Sequence, residues 1–94
     1  MIKSFRHAGI EKFYRTGSKA GIQPNHASRL EEQLIFLNMA RKPSDMDIAG
    51  WDFHPLRHDL KEHYAVKVNR MWRLTFAWEN GDAILVDYQD YHEG

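Results

Sequence analysis

Hydrophobic side chains recur along this chain with two different periods, and the change falls near residue 50. The first half is helical in period. Ile10, Phe13 and Tyr14 stand at i, i+3 and i+4, which predicts a helix over Ala8–Thr16 stopped by Gly17. Pro24 is suited to open a second helix running to about Ala40, and Pro43 ends it. Its inward stripe is Ala27, Leu30, Leu34 and Leu37, broadened by Ile35 and Phe36, with Arg29, Glu32 and Gln33 outward. Ile2–Phe5 reads as a short opening strand, 17–23 as a loop, and 44–47 as a single helical turn.

From Trp51 the period is two. Trp51–His54 reads as a short strand stopped by Pro55, and His58–Glu62 as a polar loop. Tyr64, Val66 and Val68 alternate with Ala65, Lys67 and Asn69. Trp72, Leu74, Phe76 and Trp78 alternate with Arg73, Thr75, Ala77 and Glu79. Asn80-Gly81-Asp82 is a hairpin turn, after which Ile84, Val86 and Tyr88 continue the inward series. These elements predict an α+β fold: a short N-terminal strand and two helices packed on one face of a twisted antiparallel meander. A slip of one residue would expose Trp72 and Phe76, so the register is expected to be firmly set.

The 94 residues suit one domain spanning 1–94. No stretch has the ~20 apolar residues of a membrane span, and the N-terminus lacks the apolar centre of a secretory signal. No membrane partner is therefore expected. The chain has no cysteine, which fits a reducing cytoplasm and excludes thiol chemistry. Its net charge of zero hides an asymmetry. Before residue 31, six cations (Lys3, Arg6, Lys12, Arg15, Lys19, Arg29) face one acid, Glu11. Such a stretch is either a set of solvated helix faces or a surface that grips phosphates.

The densest chemistry is at the C-terminal end, where an apolar run leads into Asp87, Tyr88, Asp90, Tyr91 and His92. Cleavage of RNA by its own 2′-hydroxyl needs a base, an acid and a cation for the charged phosphorane. His54, Arg57, Arg73, Asp90, Tyr91 and His92 supply those types near predicted strand ends. Each also has a plainer role. Arg73 pairs with Asp87 or another cross-strand acid, and His54 bonds its own loop. Tyr88 packs in the core, as do Trp72 and Trp78. His54, His58, His63, Asp90 and His92 are of types that ligate zinc, but the predicted loop between His54 and His63 gives them no shared helical face, and no metal is expected.

The ordered set Phe53-His-Pro-Leu56, Tyr64-Ala-Val-Lys-Val68, Trp72-Arg-Leu-Thr-Phe76, Gly81-Asp-Ala83 and Val86-Asp-Tyr-Gln-Asp-Tyr-His92 resembles the HigB toxins of the RelE/ParE superfamily. Met1–Phe5 and the Thr16–Ile22 loop are similar to it as well. The resemblance implies a toxin of a type II toxin–antitoxin system that cleaves mRNA in the A site of the 70S ribosome. It also implies neutralisation by a HigA-type helix-turn-helix antitoxin, without a cofactor. On it, the catalytic residues are His54, Asp90, Tyr91 and His92, with Arg73 at the phosphate. Arg57 and the cations Lys3, Arg6, Lys12, Arg15 and Lys19 would contact RNA or the ribosome. Arg57 stands where lysine is common, and Glu62 and Met71 depart from the pattern. The alternatives are a ParE-like inhibitor of DNA gyrase and an inactive homologue that only binds antitoxin. The His54, Asp90, Tyr91 and His92 set argues against the gyrase inhibitor, which has no need of paired acid/base groups.

Overall fold

A computed structural model describes residues 1–57 and 62–91. Four strands follow two helices: α1 (Ala8–Thr16), α2 (Ala27–Met39), β1 (His54–Leu56), β2 (Glu62–Lys67), β3 (Trp72–Glu79) and β4 (Asp82–Asp90). They form one antiparallel meander in the order β1-β2-β3-β4. α1 has the predicted bounds. Its first turn is capped by His7, whose ring nitrogen accepts from the Ile10 N–H, and Gly17 closes it with φ 81°. The predicted second helix divides into a 3₁₀ turn, Pro24–His26, and α2 proper.

Ile10 and Phe13 of α1 and Leu30, Leu34 and Leu37 of α2 meet Val66, Leu74, Phe76, Val86 and Tyr88 in one core. Both helices therefore cover the same face of the sheet. Three expectations about α2 are corrected. Ile35 and Phe36 do not broaden the buried stripe; they are 50% and 42% exposed. Phe36 instead lays an edge against the buried Trp51 from outside, with ring centroids 5.4 Å apart. Gln33, expected outward, is fully buried and donates to the Lys67 carbonyl at 2.9 Å. That carbonyl lies at the end of β2, beyond the last β1 pair, and Gln33 and Arg29 supply the partners a strand would otherwise give.

The opening segment makes two isolated parallel bridges to β4, Ile2 with Ala83 and Phe5 with Val86, rather than a continuous strand. Pro55 does not stop β1 but lies inside it, opposite Tyr64. β1 is an edge strand, where a missing N–H is tolerated. Residues 51–53 fall outside the ladder because Gly50 and Asp52 take positive φ, 88° and 48°.

The β3–β4 hairpin turns on Asn80 and Gly81 with φ 53° and 82°, the pair of left-handed residues a type I′ turn requires. Further along, Thr75 pairs with Asp87 but Ala77 pairs with Ile84, so Leu85 and Val86 together oppose Phe76. This β-bulge overturns the expected inward series: Ala83, Val86 and Tyr88 face the core, and Ile84 turns to the other face.

Candidate active site

Across an antiparallel ladder, paired residues share a face. His54 pairs with Ala65, Ala65 with Thr75, and Thr75 with Asp87; Lys67 pairs with Arg73, and Arg73 with Gln89. These two rows lie on the face away from the helices. Its floor is small, with Ala65, Thr75 and Ala77 all buried. His54 and Arg73 stand two strands apart, roughly 12 Å between Cα atoms by strand spacing and rise.

Arg73 is the best defined group on this face. Its Nη1 donates to the carbonyls of Asn69 at 2.9 Å and Trp72 at 3.1 Å, so the guanidinium caps the turn between β2 and β3. Among the described residues no carboxylate pairs with it. The expected alternative, an ion pair with Asp87, does not form. The Asp87 carboxylate accepts from the Tyr88 N–H and the Gln89 amide instead. The Tyr91 ring lies 5.5 Å from the guanidinium carbon, a cation–π arrangement. Tyr91 is held there by its own N–H, which donates to the Met71 carbonyl at 2.6 Å.

His54 is half-buried, and its Nδ1 lies 2.8 Å from the Asp52 carbonyl oxygen. A carbonyl only accepts, so Nδ1 carries the proton. The bond to its own loop is thus present, and in the neutral ring it leaves Nε2 with a free lone pair. Asp90 is not brought to this face. It pairs with Trp72, is exposed at the end of β4, and lies close enough to Tyr88 to raise that phenol, after the larger effect of burial. His92 lies outside the described residues, as does His58.

The basic residues are separated from these groups. Lys3, Arg6, Lys12, Arg15 and Lys19 are exposed on the opening segment, α1 and the loop after it. Arg15 is engaged by Glu11 at 2.9 Å; the other four have no carboxylate partner among the described residues. Arg57 is exposed just beyond β1. Among the described residues, no three His, Asp or Glu side chains cluster as metal ligands, and no helix is long and apolar enough to cross a membrane. A groove between α1 and α2, lined by Phe13, Tyr14, Glu31, Leu34 and Ile35, lies on the helix side, away from His54 and Arg73.

Two residues that sequence reasoning did not single out stand directly behind Arg73. His26 is buried, with Nδ1 2.6 Å from the Tyr88 hydroxyl and Nε2 2.6 Å from the Asn69 amide nitrogen. Asn69 Oδ1 accepts from the Met71 and Trp72 N–H groups at 3.1 and 3.0 Å. Burial pushes the His26 pKa down. The Tyr88 ring is buried and stacks on Trp72 at 4.4 Å, so its packing role is as expected. An Asn three residues before the first residue of a strand was the legible signal of a side-chain-capped turn.

Two helices on one face of a four-stranded antiparallel meander form an α+β arrangement consistent with the RelE-like fold. The family model described as "RelE-like toxin of type II toxin-antitoxin system HigB" matches residues 3–92, and the chain belongs to that family. It is 32% identical to "Endoribonuclease HigB" of Proteus vulgaris over 92 residues, covering 98% of this chain and 100% of that protein. It is likewise 32% identical to "Toxin HigB-1" of Vibrio cholerae serotype O1 (strain ATCC 39315 / El Tor Inaba N16961), covering 99% of each. Membership in a type II toxin–antitoxin family implies an antitoxin partner.

Proposed function

We propose that this protein is an endoribonuclease toxin that cleaves mRNA in the ribosomal A site by 2′-hydroxyl attack. The observation that carries the reading is the Arg73 guanidinium, unpaired by any described carboxylate and overlaid by Tyr91, on the face that holds His54. A similar protein named as an endoribonuclease, aligned over its full length, supports the same activity.

In this reading His54 Nε2 takes the proton of the 2′-hydroxyl. The 2′-oxygen bonds to phosphorus, and the bond to the 5′-oxygen breaks. His92 gives that oxygen a proton, and Asp90, two residues before it at the end of β4, orients the ring. The products are a 2′,3′-cyclic phosphate and a 5′-hydroxyl. Arg73 stabilises the charge that builds on the phosphorane, and Tyr91 stacks against the RNA. The side chains fill the roles of base, acid and cation, so the step needs no metal. Arg57, Lys3, Arg6, Lys12, Arg15 and Lys19 contact RNA or the ribosome, and a helix-turn-helix antitoxin neutralises the toxin.

Expression without an antitoxin tests this in cells. Growth should stop, and mapped 5′ ends of mRNA should fall within codons and carry 5′-hydroxyls. Growth arrest with intact mRNA and altered DNA supercoiling would favour a gyrase inhibitor instead.

A further inference from the structure

Asn69 makes five hydrogen bonds at the foot of β3. Its Oδ1 accepts from two backbone N–H groups, Met71 and Trp72, and its own N–H donates to the Trp72 carbonyl at 3.3 Å. Its carbonyl accepts from Arg73 Nη1 at 2.9 Å. The two donors on Oδ1 fix the orientation of the amide, so it is the NH₂ group that faces His26 at 2.6 Å. His26 Nε2 must then accept, and Nδ1 must carry the ring proton and donate to the Tyr88 hydroxyl. That hydroxyl also accepts from the Gln23 N–H at 3.2 Å. An unbroken line of hydrogen bonds thus runs from the loop before α2, through Tyr88, His26 and Asn69, to the guanidinium of Arg73. Its buried members, Tyr88 and His26, are each locked by ring packing as well: His26 sets an edge against Trp72, which stacks on Tyr88.

We propose that Asn69, anchored by His26, is the positioning residue that aims Arg73 at the scissile phosphate. The inference rests on Arg73 being the phosphate ligand, as proposed above. Arginine has long, freely rotating stems, and a catalytic cation acts only if its direction is set before the charge develops. Here no carboxylate sets that direction among the described residues. The carbonyls of the 69–72 turn do so instead, and Asn69 holds the turn in shape from inside. The neutral acceptors leave the charge of Arg73 available for the phosphate, which an ion pair with Asp87 would have quenched.

The test is single-turnover cleavage of a defined mRNA on programmed ribosomes by the wild type, Asn69→Ala, Asn69→Ser, Arg73→Ala and the Asn69→Ala/Arg73→Ala double variant. Asn69→Ala should lower the cleavage rate roughly tenfold to hundredfold while leaving the half-saturating concentration little changed. Asn69→Ser, which keeps an acceptor for the turn, should retain most of the rate. On the Arg73→Ala background, Asn69→Ala should cost nothing beyond about twofold. Equal losses on both backgrounds, or no loss on the wild type, overturn the proposal and leave the role of Arg73 standing. A wild-type rate for Arg73→Ala itself would instead remove Arg73 from the phosphate, and Asn69 as its positioner with it. If Asn69→Ala does not fold, nitrogen NMR of the wild-type guanidinium decides. Slow rotation at Arg73 is expected, and a freely averaged side chain refutes the positioning.

Discussion

Arg73 and His26 carry opposite electrostatic assignments only a few residues apart in space. Arg73 is charged and meets neutral carbonyls; His26 is buried and must stay neutral to accept from Asn69. Arg73→Ala should therefore lower the rate of cleavage by about 10²–10³-fold, the usual effect of losing an electrostatic stabiliser. The thermal midpoint should move little, since the caps of the turn remain in Asn69. Arg73→Lys should recover only part of the rate, because an ammonium lacks the planar fork. For His26 the sign follows from linkage. Burial lowers its pKa below the ordinary 6.5, so between that value and the lowered one the unfolded chain binds a proton that the folded one does not. Stability should be full above about pH 6.5 and should fall as pH drops below it. Urea midpoints for the wild type and His26→Gln, taken from pH 7.5 down to 5.5, check this: the variant should lose part of the slope.

At the scale of elements, the β-bulge decides which residues of β4 face the core. Leu85 holds φ 54°, a left-handed conformation that costs a side-chain-bearing residue about 1–2 kcal/mol. The opening segment compensates: Ser4 Oγ accepts from the Leu85 N–H at 2.9 Å, and the Ser4 carbonyl accepts from Val86 at 3.1 Å. Ser4→Ala should thus destabilise the fold by about 1 kcal/mol, measured as a shift in urea midpoint with an unchanged slope. A second tight contact joins the start of α1 to the loop that follows it. A Cβ on Gly9 would lie 2.5 Å from the Gly21 carbonyl oxygen. Gly9→Ala should cost about 1–3 kcal/mol, the usual range for overpacking, on the same assay. Neither feature was legible beforehand. Alternation along Ile84, Val86 and Tyr88 carries no sign that an extra residue is inserted, because Leu85 is as apolar as its neighbours. Gln33 escaped for the related reason that a polar residue is read as outward until its partner, the Lys67 carbonyl, is known.

On the scale of the whole molecule, the chain's two hydrophobic periods were enough to give the α+β meander and its helix-covered face. The placement of some candidate residues was also legible. Arg73 and His54 do share a face, because the β1–β2 and β2–β3 ladders fix their register, and the Tyr91 ring lies over Arg73. The support behind Arg73 was not, since it joins His26, Asn69 and Tyr88 from three distant segments. Among the described residues, the cations Lys3, Arg6, Lys12 and Lys19 have no carboxylate partner and lie on the opening segment, α1 and its following loop, so the proposed RNA contacts and the proposed chemistry fall in two regions. The most direct measurement is cleavage of a defined mRNA by purified toxin, with and without programmed ribosomes, for the wild type and His92→Gln. The proposed function predicts cuts within the A-site codon only when ribosomes are present, and their loss in the folded variant. No cleavage by folded wild type, or equal cleavage by His92→Gln, would contradict it.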